Sequence, residues 1–230
     1  MIEIINLLKS YNHKVAVDIP QLEIGNGIIG LVGNNGAGKT TLFRLLLDLI
    51  KADKGEVFSN DKDVSKNEDW KNYTAAHIDE GFLIPYLTPE EYFYFVGKLH
   101  NRSKVNVDEM LSGLTAFFDS SILNSGKYIR DLSKGNQFKV GIAACLIQES
   151  DVIILDEPFA NLDPSSQIRL IKMLEELNAK KPMSILISSH DLNHITEVCT
   201  RILLMEKGRI IKDLKTSSDT LTELEDYFRV

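Results

Sequence analysis

The sequence predicts an α/β fold, a mostly parallel sheet with helices on both faces, interrupted in its middle by a helical subdomain. Three observations predict it. Short, largely apolar runs bounded by turn residues recur at Ile28–Val32, Val152–Leu155, Ser184–Ser188 and Arg201–Met205, as strands buried on both faces do. Helical patterns, such as those beginning at Thr40 and at Ser165, lie between these runs. From about Phe82 to Gln148 the pattern is mostly helical instead.

The elements follow from local chemistry. Ile28–Val32 runs into a glycine-rich loop and then a helix over Thr40–Leu47. In the middle segment Thr88 is an N-cap, Pro89 occupies the first helical position and Glu91 stands three residues after the cap, which together start a helix. At 230 residues the chain can bury one good-sized core with a subdomain, and is short for two domains. Its 43% hydrophobic and 26% charged content is that of an ordinary globular protein.

Bulk charge and hydropathy exclude some classes of function. A net charge of −7 argues against duplex nucleic acid, which selects a basic stripe. No apolar run reaches the roughly 18 residues that a membrane span needs. The N-terminal "MIEIINLLKSY" carries an acid at Glu3 and no small-residue cleavage site, so no secretory signal is expected and the expected location is cytoplasmic. Cys145 and Cys199 have no paired spacing and read as reduced packing residues.

The stretch Gly33-Asn34-Asn35-Gly36-Ala37-Gly38-Lys39-Thr40 fits the pattern G-x-x-x-x-G-K-[ST] between a strand and a helix. Glycines there let successive N–H groups turn inward as an anion nest, and the following helix adds the partial positive charge of its N-terminus. Lys39 is placed to reach the β- and γ-phosphates of a nucleotide, and the Thr40 hydroxyl to ligate Mg²⁺. A chance match in a chain of this length is on the order of one percent, since glycine is about 7% of residues. Nucleotide binding is therefore the expectation.

A second constellation follows the buried run Val152–Leu155. Asp156 stands at its carboxyl end, where ligands of open α/β sheets collect, and can hold the magnesium shell. Glu157 is next and is placed to polarise a water that attacks the γ-phosphate. His190 lies just past another strand end and can touch the same phosphate. Pairing His190 with His194 as a metal site is the rival reading, but the intervening Glu of H-E-x-x-H is missing.

With these motifs in this order, the chain resembles an ATP-binding cassette ATPase, the motor subunit of ABC transporters, over essentially its whole length. Gly33 to Thr41 is similar to the Walker A loop, Val152–Asp156 with Glu157 to Walker B and its catalytic glutamate, Asn161-Leu162-Asp163 to the D-loop, and His190 to the switch histidine. Tyr11 resembles the aromatic that stacks on adenine. Leu132-Ser133-Lys134-Gly135-Asn136 occupies the signature position. The resemblance implies one cassette over residues 1–230: a P-loop NTPase core with a mostly parallel sheet (1–80 and 149–230), an N-terminal antiparallel β-subdomain and a helical subdomain at about 81–148. It implies ATP and Mg²⁺ as ligands, and a head-to-tail pair of copies in which Ser133, Gly135 and Asn136 of one meet the ATP held by the other. It also implies a separate permease that places the cassette on the inner face of the membrane.

Two departures stand out. The usual signature is Leu-Ser-Gly-Gly-Gln, and here Lys134 and Asn136 replace two of its residues; a Lys in that place resembles the signatures of exporter-type bacterial cassettes. Where the family carries a glutamine in the magnesium shell, alignment on Leu87-Thr88 places Asp79. The aromatics Phe82, Tyr86, Tyr92, Phe93, Tyr94 and Phe95 are expected mostly in the core of the helical subdomain, with part of that face as a groove for the permease. The C-terminal "TLTELEDYFRV" resembles the short last helix of exporter-type cassettes.

Overall fold

The structure, a computed structural model, describes residues 1–78, 82–118 and 122–228. In chain order its elements are β1 (Ile2–Tyr11), β2 (Lys14–Ile24), β3 (Gly27–Val32), α1 (Lys39–Leu46), β4 (Lys54–Ser59), β5 (Lys62–Asp63) and β6 (Thr74–His77). There follow α2 (Pro89–Leu99), α3 (Lys104–Gly113), α4 (Lys134–Ile147), β7 (Val152–Asp156), α5 (Pro164–Lys180) and β8 (Ser184–Ser189). The last are α6 (Leu192–Val198), β9 (Arg201–Glu206), β10 (Arg209–Lys215) and α7 (Thr220–Phe228).

Two sheets organise the chain. The larger has the order β10–β9–β3–β8–β7–β6, with every pair parallel except β9–β10 at the edge. The smaller, β2–β1–β4–β5, is antiparallel throughout. The uniformly apolar strands are explained by what covers them. Ile153, Leu155, Ile185 and Ile187 pack with α4, α5 and α6, while their neighbours Val152, Ile154 and Leu186 pack with α1 and the antiparallel sheet. Because side chains alternate across a strand, both faces of β7 and β8 are buried, and their polar residues, Asp156, Ser184, Ser188 and Ser189, gather at the strand ends.

The middle of the chain is helical. Thr88 caps α2 as its sequence predicts: its hydroxyl accepts from Glu91 N at 3.3 Å, and Glu91 Oε2 accepts from Thr88 N at 2.9 Å. Helix α4 packs against α2, α3 and β6. It approaches β6 so closely that a Cβ on Gly141 would lie 2.4 Å from the His77 ring, which is why a helix interior carries a glycine there. The aromatic run divides. Tyr92 and Phe93 join Val96 on the buried stripe of α2, whereas Phe82, Tyr86 and Phe95 are exposed at 56%, 67% and 44%. Cys145 and Cys199 are buried free thiols, and burial pushes the Cys145 thiol up to about 12.

Candidate functional site

Three adjacent strand ends assemble the site. Strands β3, β8 and β7 lie side by side, with Val32 opposite Ser189 and Asp156 opposite Ser188. Whatever leaves their carboxyl ends is therefore brought to one rim of the sheet. Those segments are the glycine loop after β3, Glu157 after β7 and His190 after β8.

In the glycine loop Asn34, Asn35 and Gly36 are exposed, while Gly33 and Ala37 are buried. A Cβ on Gly33 would lie 2.3 Å from Met205 O, so only glycine fits. Gly38 caps α1 at φ 114°, in the left-handed region, and supplies no side-chain cap. That conformation starts the helix at Lys39, one residue before the sequence pattern, and leaves its first N–H groups to the loop. Lys39 is buried, and its Nζ donates to Gly33 O at 2.7 Å and lies 3.5 Å from Glu157 Oε1. Thr40 Oγ1 donates to Asp156 Oδ2 at 2.5 Å. Thr41 is half-buried in the first turn of α1.

Glu157 adopts φ 50°, a left-handed turn that swings its carboxylate away from the strand direction. Its two oxygens face different partners, Oε1 towards Lys39 and Oε2 towards His190 Nδ1 at 2.8 Å. The Glu157 side chain is 28% exposed, so water reaches it. Tyr11 ends β1 opposite Lys14, and its ring is 47% exposed with Lys9 Nζ at 5.5 Å. The same hairpin carries Ala16, whose carbonyl lies 2.2 Å from where a Gly38 Cβ would be, so the hairpin that carries Tyr11 touches the glycine loop. Asp79 falls outside the described residues.

Ser133 is the N-cap of α4; its hydroxyl accepts from Asn136 N at 3.3 Å. Ser133 and Lys134 are exposed, Gly135 is half-buried and Asn136 is buried. A Cβ on Gly135 would stand 2.9 Å from Asn161 O, so the tip of α4 lies against the loop that begins α5.

The family model described as ABC transporter matches residues 18–160, more than half of the chain, including the glycine loop and Glu157 but not His190. The chain belongs to the ABC transporter family. It is an ATP-binding cassette ATPase, the ATP-binding subunit of a transporter. It is similar to ABC transporter A family member 11 of Dictyostelium discoideum, 34% identical over 189 residues, which are 80% of this chain and 22% of that much longer protein. It is also similar to the probable sulfate/thiosulfate import ATP-binding protein CysA of Chlorella vulgaris, 33% identical over 90% of this chain and 88% of that one. In fold it matches the dimeric structure of a post-hydrolysis state of the ATP-binding cassette MJ0796 bound to ADP and Pi, with a TM-score of 0.84 at 22% identity over 95% of this chain and 100% of that one. The α/β core with its antiparallel N-terminal sheet is thus the P-loop NTPase fold of an ABC cassette.

Ser188 and Lys139 are further residues that the sequence does not single out. Ser188, fully buried, donates its hydroxyl to Asp156 Oδ1, and the same oxygen accepts from Glu157 N at 2.9 Å. One hydroxyl thus links the Asp156 carboxylate to the Glu157 backbone. The only signal in the sequence is a pair of serines ending an apolar run just before His190. Asp163 caps α5 and accepts from Ser165 Oγ and Ser166 Oγ at 2.6 Å each and from Ser166 N at 3.0 Å. Those hydroxyls, chiefly Ser165, then Ser166 with its backbone N–H, hold its carboxyl well below the usual range. Lys139 of α4 lies 3.4 Å from Asp163 and ties α4 to the start of α5.

The donors suit magnesium. Thr40 and Asp156 offer hard oxygens already within contact of each other, the one or two protein ligands that Mg²⁺ takes when phosphates complete its shell. His194 instead stacks on Phe159 at 5.0 Å and pairs with Asp191 at 3.1 Å. Among the described residues no group of three or more His, Cys, Asp or Glu could hold a metal.

Proposed function

We propose that the cassette hydrolyses ATP between two copies of itself and uses the cycle of closure and reopening to drive a separate membrane permease. The observation that carries this reading is the Glu157 carboxylate set between Lys39 and His190, beside the Thr40–Asp156 pair. Glu157 takes a proton from the attacking water as that oxygen bonds to the γ-phosphorus and the bond to ADP breaks. Lys39, His190 and the N–H groups of Gly33 to Thr41 carry the charge of the phosphoryl group. Mg²⁺, held by Thr40 and Asp156, would neutralise phosphate oxygens. Tyr11 stacks on adenine. Asp79, where a neutral glutamine is usual in the family, adds negative charge to that shell and weakens ATP-driven closure.

Ser133 and Gly135 at the tip of α4 complete the ATP site of the second copy, which is supported by the exposure of Ser133 at a helix N-terminus. The permease seat is a groove of about 220 Å³ lined by Leu47, Leu49, Trp70, Ala76, Ile78 and Phe82. Exposed Leu49 and Phe82 make it an apolar surface fit for a short helix. No helix among the described residues is long and apolar enough to cross a membrane. The proposed location is the inner face of the membrane, through that permease. Export is the proposed direction, on the strength of Lys134 and the short α7. The Chlorella relative named as an import protein favours the opposite direction.

Phosphate release from purified cassette with ATP and MgCl₂ tests the ATPase cycle. Co-purification from solubilised membranes identifies the permease, and reconstitution of the pair in vesicles reads the direction from the side on which cargo accumulates. A cassette that binds ATP without releasing phosphate, with or without its permease, would overturn the motor reading.

A further inference from the structure

The turn behind the glycine loop is where the C-terminal helix acts. Lys207 and Gly208 connect β9 to β10 with φ 46° and 86°, the two positive values of a tight hairpin turn. This turn is wedged between two elements of the nucleotide site. Gly208 N donates to Ala37 O at 2.8 Å, while Gly208 O accepts from Asp18 N of β2 at 2.8 Å. One residue of the hairpin thus pins the back of the glycine loop to the strand that follows Tyr11. Glu206, the last residue of β9, accepts a hydrogen bond from the Tyr227 hydroxyl of α7. That bond holds the Glu206 carboxyl below its usual range and the Tyr227 phenol above its own, so it persists across neutral pH.

Helix α7 is itself anchored. Leu224 is fully buried in the main core, Lys212 Nζ lies 2.6 Å from Glu223 Oε1, and the helix packs on α6. Tyr227 and Phe228 line, together with Asn34–Ala37 and Glu206, a cleft of about 580 Å³. Lys39, Thr40, Glu157 and His190 do not line that cleft. The helix therefore reaches the loop through the hairpin rather than by covering the reacting groups.

We propose that Tyr227 is a positioning residue for the nucleotide loop: through Glu206 and the Lys207–Gly208 turn, α7 braces the carbonyl of Ala37 and so the N–H groups that receive phosphate. The brace goes beyond the motor reading and rests only on the glycine loop being the phosphate site.

Hydrogen–deuterium exchange on the full, nucleotide-free chain reads the brace directly, beside the ATP dissociation constant. Tyr227→Phe and Glu206→Ala should each speed exchange of the amides of residues 34–38 about three-fold and weaken ATP binding by a similar factor, the size of one net hydrogen bond. Their double variant should add nothing further, because both remove the same link. Glu206→Gln, which keeps a carbonyl acceptor, should exchange as wild type does. Amides of β7 and β8 should be unaffected throughout. Wild-type exchange at residues 34–38 in Tyr227→Phe and Glu206→Ala, or additive effects in the double variant, would overturn the proposal. Should the wild-type chain fail to bind ATP, the phosphate reading falls, while loop exchange still judges the brace.

Discussion

Thr40 and Asp156 are 116 residues apart in the chain and 2.5 Å apart in space, Oγ1 to Oδ2. The contact joins the helix after β3 to the end of β7, although β8 lies between those strands in the sheet. Ser188, from that intervening strand, binds the other Asp156 oxygen. All three strand ends thus converge on one carboxylate.

Ser188→Ala should loosen this centre without touching nucleotide. It leaves a buried Asp156 oxygen short of a partner and leaves the Glu157 N–H only its 3.2 Å bond to Ser188 O, a loss of about 2 kcal/mol, set by the hydrogen bond to a charged group. Urea denaturation should register that loss, and a Mg²⁺ titration of ATP hydrolysis should shift to higher metal. Unchanged stability and metal dependence would remove Ser188 from the site.

Glu157→Gln removes the proposed proton acceptor but keeps the shape of the side chain. Phosphate release should fall by about 10²- to 10⁴-fold, the usual contribution of a general base. ATP should still bind, and a pair of copies should accumulate on size-exclusion chromatography. A persistent monomer with full turnover would count against the assignment.

Ser133 and Lys39 serve different ATP molecules if two copies pair head to tail. Ser133→Arg and Lys39→Ala should each be inactive alone. Mixing them should restore up to about half of the activity per mixed pair, since one of its two sites is then intact under C₂ pairing. An inactive mixture would place Ser133 outside the site.

Asp163 gives the cassette an acid-sensitive joint. Its folded pKa lies below the unfolded value of about 3.9, so the stabilisation is fully present above that value and is lost as pH falls through the folded one. Asp163→Asn should therefore lower the melting temperature at pH 7 and flatten its decline towards pH 3. Because the Asp163 side chain is half exposed, the difference should be modest, a few degrees at most. Parallel melting curves for the two proteins from pH 7 down to 3 would sink the idea.

Much of the fold was legible in the residues. The runs Ile28–Val32 and Val152–Leu155 could only be strands buried on both faces, because no polar position breaks them. The Thr88–Glu91 capping box was equally plain, since capping is a matter of residues within one turn of helix. The aromatic run was less so: which of Phe82, Tyr86 and Phe95 stayed exposed depended on where α2 lay against its neighbours.

The glycine loop and the carboxylates past Leu155 were fixed by the sequence itself, because an anion nest and a strand-end ligand need only local backbone and neighbouring side chains. Strand order decided the remainder. Ser188 meets Asp156 because β8 pairs with β7, Lys139 meets Asp163 because α4 packs beside the start of α5, and Tyr227 meets Glu206 because α7 folds back on the β9 turn. Each of those contacts joins positions that share no periodic pattern, so only the packed chain could bring them together.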